Sequence, residues 1–170
     1  MKILKSNRLI LRPWKFSDLD DLHEFTSNKK VANLAGFNVK NSKDESLNIL
    51  NQFVIDSSSS LWAIELKNSN KAIGWIELHS PTEGTDKNSK EIGFVLSQKY
   101  WGQGLMPEAI KQVISYGFFE GKIDSIVCSH FTNNVQSKRV IEKCGFKYII
   151  KNNDKLYYRL NKSNLSIHQS

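Results

Sequence analysis

The chain has little of what staples, spans or coordinates. Its two cysteines, Cys128 and Cys144, make neither a disulfide framework nor a paired zinc motif, so buried free thiols in a reducing cytoplasm are expected. Four histidines, His23, His79, His130 and His168, are too scattered to propose a metal site. No apolar run approaches the roughly 18 residues of a membrane helix, and Lys2 and Lys5 interrupt the start before a signal-peptide core could form. A cytoplasmic location with no membrane partner is the expectation. There is no internal repeat, no Gly-Lys-Ser/Thr phosphate loop and no Gly-x-Ser-x-Gly elbow, so phosphate-loop and serine hydrolase chemistry are unsupported.

What is present is ordinary for a globular protein, with 39% hydrophobic and 24% charged residues, and 170 residues fit one domain, 1–170, with 162–170 as a tail. The net charge of +7 raises the question of a polyanionic partner. Much of it falls late, where Lys138, Arg139, Lys143, Lys147, Lys151, Lys155, Arg159 and Lys162 face only Glu142 and Asp154. No nucleic-acid motif accompanies this charge, so it is read as a solvated surface. A basic nucleic-acid-binding domain remains an alternative to be tested.

Periodicity and capping signals give the order β-α-α-β-β-β-α-β-α-β-β, an α/β chain with a central mixed sheet. Arg8 to Arg12 reads as a strand closed by Pro13. Ser17-Asp18-Leu19-Asp20 reads as a helix start, and Ser42-Lys43-Asp44-Glu45 as a capping box before Leu47, Leu50 and Val54. The serines 57–60 end that helix as a loop. Runs 61–66, 72–78 and 91–96 should pair antiparallel, because only the Asn68-Ser69-Asn70 turn and the polar stretch 80–90 separate them. Helices then follow with Ile110, Val113, Ile114, Gly117 and Phe118 inward, and over 134–144, with Gly145 as a left-handed cap. Strands at 125–129, 146–150 and 156–160 complete the sheet.

Chemistry concentrates between Phe94 and Ala109. A strand runs into Gly102-Gln103-Gly104, and a helix opens behind it with Pro107 in its first turn, where a missing N–H costs nothing. The free N–H groups at that helix start and the glycine turn make an anion pocket, with pyrophosphate the natural occupant. Taken alone, Gly-x-Gly before a helix is equally a simple tight turn. It is not the dinucleotide fingerprint, since Pro107 stands where that pattern has its third glycine.

The stretch as a whole resembles the acyl-CoA motif of the GNAT N-acetyltransferases, and is especially similar to the ribosomal-protein-alanine (RimJ/RimL-type) branch through Tyr100-Trp101-Gly102-Gln103-Gly104 and Glu108-Ala109. Two further segments resemble that branch: Asn7 to Pro13, and Asn134-Val135-Gln136-Ser137 through Glu142-Lys143-Cys144-Gly145-Phe146. The three occur in the family's order. Trp101 stands where the superfamily prefers Gln or Arg, and Met106 replaces the closing small residue, its thioether narrowing the turn.

The resemblance implies a GNAT-like fold: a mostly antiparallel, splayed mixed sheet flanked by about four helices. It implies acetyl transfer from acetyl-CoA to a primary amine, a small molecule or a protein N-terminus, through a tetrahedral intermediate, with no metal. An idle acyl-CoA-binding sensor is the other reading, and a homodimer is left open. By the same carry-over the main chain of Phe94, Val95 and Leu96 would hold the pantetheine arm. The turn of Trp101, Gly102, Gln103, Gly104, Leu105 and Met106 would bind pyrophosphate. Asn134 would bond the arm or shape the thioester site, an N–H near Val95 or Leu96 would serve the oxyanion, and Ser137 would protonate the thiolate. The alternative for Ser137 is an ordinary capping serine of a first turn. As base, Glu91 and His79 are the candidates, with Trp75, Glu77 and His79 sharing one strand face. The acceptor groove is expected between the two early helices and the 80–90 loop.

Overall fold

Strand alternation sends successive side chains to opposite layers, and it sorts the apolar residues of this chain into two cores. The computed structural model describes residues 1–55, 60–82 and 88–165. Eight strands form one sheet: β1 (Leu4–Lys5), β2 (Leu9–Arg12), β3 (Ser60–Leu66), β4 (Lys71–His79), β5 (Ser89–Leu96), β6 (Ser125–Phe131), β7 (Lys147–Asn152) and β8 (Lys155–Asn161). Their order is β1-β2-β3-β4-β5-β6-β8-β7. Every pairing is antiparallel except β5 with β6. That exception follows from the helix between them, since a crossover returns the chain in its starting direction.

On one face lie α4 (Leu105–Ser115) and α5 (Val135–Lys143). Ile110 and Val113 of α4, Ile141 of α5 and Trp62 and Ile64 of β3 are fully buried there, each worth about 1.5–3 kcal/mol of transfer free energy. The inward set expected for α4 is observed, with Phe118 also fully buried. After Ser115 the helix widens into a π turn over Tyr116–Glu120, where Gly117 packs on Ile123 so closely that a Cβ would approach its Cδ1 to 2.9 Å.

On the other face lie α1 (Leu19–Thr26), α2 (Lys29–Ala35) and α3 (Lys43–Ile55), over a core of Trp14, Leu22, Phe25, Leu50, Ala63 and Val95. Among the described residues there are thus five α-helices rather than about four, because α2 escapes the periodicity reading at only seven residues. Its ends are nonetheless signalled: Asn28 accepts from the N–H groups of Lys30 and Val31, and Gly36 closes it at φ +78.

Two capping expectations change. Ser17 caps nothing; α1 starts at Leu19, with Asp18 at the cap position but making no side-chain cap bond. The Asp18 carboxylate instead takes the Arg12 guanidinium at 2.8 Å through both oxygens. At α3, Ser42 Oγ accepts from Glu45 N–H at 3.2 Å, while Glu45 reaches back to Asn41 N–H at 3.1 Å. The side chain buried in the first turn of α3 is Ser46, which pairs with His23 and Thr26. The left-handed cap at Gly145 is observed at φ +88. Cys128 is buried but Cys144 only half-buried, both free; burial pushes the Cys144 thiol up to about 11. Residues 57–59 of the serine tract, 83–87 of the polar stretch and 166–170 of the expected tail lie outside the described residues. Residues 162–164 form a single 3₁₀ turn after β8. Among the described residues no helix is long and apolar enough to cross a membrane.

Candidate functional site

The parallel strands β5 and β6 pair only from Ser89↔Ser125 to Ile92↔Cys128. Beyond Ile92 their ladder stops, and a cleft of about 560 Å³ occupies the gap, bordered by Gly93 to Leu96 on one side and Ser129 to Phe131 on the other. The splayed sheet therefore opens where the sequence motif begins.

Which main-chain groups face the gap follows from register. Ser97 N–H donates to Ile73 O at 2.8 Å, and the two-residue period then commits Val95 and Gly93 to β4. Phe94 and the N–H of Leu96 are turned to the open side. The Leu96 carbonyl is occupied by the Trp101 indole N–H at 2.8 Å. Of the two N–H groups expected to serve an oxyanion, that of Val95 is spent on β4 and that of Leu96 has no partner among the described residues.

The glycine turn closes the same cleft. Gly102 and Gly104 have φ of +76 and +75, a region costly to any residue with a Cβ. Gly104 is the N-cap of α4 and has no side chain to cap it. The N–H groups of Leu105 and Met106 therefore lack a partner among the described residues, while Pro107 has none to satisfy. Trp101, Gly102, Gly104, Leu105 and Met106 all border the cleft; the Gln103 side chain does not. The Gln103 side chain faces outward, its Nε2 donating to Lys99 O at 3.1 Å, while the main-chain carbonyl of Gln103 accepts from Arg8 Nη1 at 3.0 Å. Met106 is 3% exposed and belongs to the core as well as bordering the cleft. Arg8 braces the turn from β2's side, its Nε 2.7 Å from Glu108 Oε2. Desolvation disfavours the Glu108 carboxylate, but bonds from the Arg8 N–H, Ser6 Oγ and the guanidinium outweigh it and hold its pKa below the usual range.

At the far wall, Asn134 Oδ1 caps α5 by accepting from Ser137 N–H at 3.0 Å, and its Nδ2 donates to Leu34 O of α2 at 2.9 Å. Asn134 is thus a strut between two helices. Ser137 is not the cap; it borders the cleft.

The two base candidates differ. Glu91 is 6% exposed and saturated: Oε2 accepts from Thr82 N–H at 2.9 Å and Thr82 Oγ1 at 2.6 Å, and Oε1 from Ser129 Oγ at 3.2 Å. His79 donates Nδ1–H to Ser80 O at 2.7 Å, which leaves Nε2 available. His79 stands directly opposite Glu91, and the next residue along the same face of β4 is Glu77, which the sequence placed there without singling it out. Glu77 stands opposite Gly93, and a Cβ there would come within 2.8 Å of its Oε1, so the glycine makes room for the carboxylate. Desolvation, then the charge of Glu91, raise the Glu77 pKa, and His79 partly offsets them. The groove beside it is walled by Val31, Leu34 and Ala35 of α2 together with Phe37 and Trp75. It is α2, not α1 and α3, that builds this side; Thr82 borders it from the 80–90 stretch. Three residues of the basic half, Arg139, Lys143 and Lys155, also border the cleft. Among the described residues no cluster could hold a metal ion.

A sheet splayed beside an uncapped, glycine-led helix defines a class, and the comparisons agree with it. Residues 8–147 match the acetyltransferase (GNAT) domain model. The chain belongs to the GNAT acetyltransferase family. It is 28% identical over 148 residues, 85% of this chain and 82% of the other, to the uncharacterized N-acetyltransferase YoaA of Bacillus subtilis. A GNAT-family acetyltransferase structure from Bacillus anthracis superposes with TM-score 0.82 at 27% identity, covering 95% of this chain and 99% of that one. The fold is shared with spermidine N-acetyltransferase from Vibrio cholerae in complex with CoA and spermine, TM-score 0.71 at 20% identity, over 93% and 98% of the two chains.

Proposed function

We propose that the protein moves an acetyl group from acetyl-CoA to a primary amine, as a single-domain cytoplasmic enzyme of the RimJ/RimL-type branch. One observation carries the reading: the N–H groups of Leu105 and Met106, partnerless among the described residues, open onto the same cleft as the unpaired main chain of Phe94 and the N–H of Leu96. The first pair suits a pyrophosphate at a helix N-terminus; the second suits an extended arm added beside a strand. Arg139, Lys143 and Lys155 supply positive charge at the same cleft, which fits a phosphorylated ligand.

The acetyl thioester supplies the acyl group. The Leu96 N–H receives the oxyanion charge. As the N–C bond forms and the C–S bond breaks, Glu77 takes the amine proton, with the free Nε2 of His79 the other acceptor at hand. Ser137 gives a proton to the departing thiolate and regains one from solvent. Glu91 holds Thr82 and Ser129 in place rather than moving protons.

Acetyl-CoA at a hundredfold excess over its dissociation constant should stabilise the protein by about 2.7 kcal/mol, several degrees in Tm. Absence of a shift removes the cofactor and everything built on it. A shift without thioester loss across an amine panel indicates a sensor, and RNA or DNA binding in place of acetyl-CoA indicates the nucleic-acid alternative.

A further inference from the structure

The acceptor half of the cleft has a chemistry of its own. Trp75 is fixed by three rings, Phe25 and Phe37 at 5.8 Å and Phe53 at 5.6 Å between centroids, and it borders the groove with Phe37 and the apolar residues of α2. This wall is pinned. Asn134 bonds the Leu34 carbonyl, and Gly36 lies so near the Phe131 ring that a Cβ would reach it at 2.4 Å. Along the same face of β4 comes Glu77, whose carboxylate has no hydrogen-bond partner among the described residues, then His79. The other carboxylate, Glu91, has its oxygens engaged by Thr82 and Ser129.

Resting on the transfer reading above, we infer that the acceptor is a monoamine carried on a compact apolar body, aryl or alkyl, with no second charge. Its ammonium meets Glu77, and its body lies against Trp75 and Phe37. A second ammonium, as in a polyamine, would sit on the apolar wall or near Arg139, Lys143 and Lys155 without a free counter-ion among the described residues, and desolvating it there is costly. An α-carboxylate, as in an amino acid, would be driven beside the carboxylates of Glu77 and Glu91, and like charges so placed repel.

Acetyl-CoA consumption is measured with 2-phenylethylamine, L-phenylalanine, spermidine and a tripeptide, with acetyl-CoA affinity followed in parallel. 2-Phenylethylamine should exceed each of the others in kcat/KM by about tenfold or more. A higher value for any of the other three overturns the inference. Phe37→Ala should raise its KM about tenfold while acetyl-CoA affinity holds. Ala35→Glu, at an exposed position of the wall, should raise kcat/KM for spermidine up to about fivefold by adding the missing counter-ion; no gain counts against the assignment. Should acetyl-CoA bind and no amine be turned over, the transfer reading fails by itself. Calorimetric titration of 2-phenylethylamine into the CoA complex then decides the groove: saturable binding weakened by Phe37→Ala upholds it, and no binding overturns it.

Discussion

Glu77 shows what a strand reading can and cannot deliver at the scale of a residue. Alternation put it between Trp75 and His79 on one face, and that placement is observed. Weighing Glu91 and Glu77 as carboxylate bases requires knowing which of them already has hydrogen-bond partners, and those of Glu91, Thr82 and Ser129, lie 9 and 38 residues away in sequence. No local pattern carries that information. The same holds for Ser137, where a first-turn serine suggests a cap but Asn134 has taken the role. The kinetic consequence for Glu77 can be signed. Desolvation and Glu91 raise its pKa in the folded protein, so the base form is lost at a higher pH than for an ordinary carboxylate. The acid limb of kcat/KM should therefore lie above the usual carboxylate range, with activity rising as pH climbs through it. Glu77→Gln should remove that limb and lower kcat by about a hundredfold or more, with acetyl-CoA affinity unchanged. A pH profile with the limb intact in Glu77→Gln assigns the base to His79 or to solvent.

At the scale of elements, the legible parts are those whose ends carry chemistry. Pro107 and the glycine turn announced α4, and Gly145 announced the end of α5. The short α2 was missed although Asn28 and Gly36 flank it, because seven residues give too few repeats for a period to show. That omission hid the α2 wall of the cleft. The turn itself yields a prediction about what the glycines permit. A Cβ at Gly104 would touch nothing closer than Arg8 Nη2 at 3.7 Å, so space does not require the glycine; the φ of +75 does. Gly104→Val imposes strain of roughly 1–3 kcal/mol unless the turn rearranges. Rearrangement re-aims the Leu105 and Met106 N–H groups. Affinity for CoA should fall at least about tenfold, the equivalent of one lost hydrogen bond to a charged group, while circular dichroism shows the fold retained. Full affinity in Gly104→Val would reduce the motif to a tight turn.

For the molecule as a whole, antiparallel neighbours were readable from short connections, and the parallel β5–β6 pair is consistent with the helix between them. The insertion of β8 between β6 and β7 was not, since either strand of that hairpin could have joined the sheet. Nor could sequence show that Arg12, part of the segment resembling the family, is a buried hub. It is 6% exposed, and Asp18 and Glu65 are 5% and 9% exposed. The guanidinium gives two 2.8 Å bonds to Asp18 and one of 2.5 Å to Glu65. Burial alone would lower its pKa, but the bonds to Asp18 and Glu65 outweigh that and raise it. The cluster ties β2 and β3 to the turn that starts α1, so its loss should be felt globally. Arg12→Met leaves two buried carboxylates facing each other without a cation, a change that costs about 3–5 kcal/mol at neutral pH and on the order of 10 °C in Tm. Melting curves of Arg12→Met and the parent at neutral pH test this directly. A deficit no larger than about 1 kcal/mol would put the cluster on the scale of an exposed ion pair, with the two carboxylates finding water or other donors once the arginine is gone.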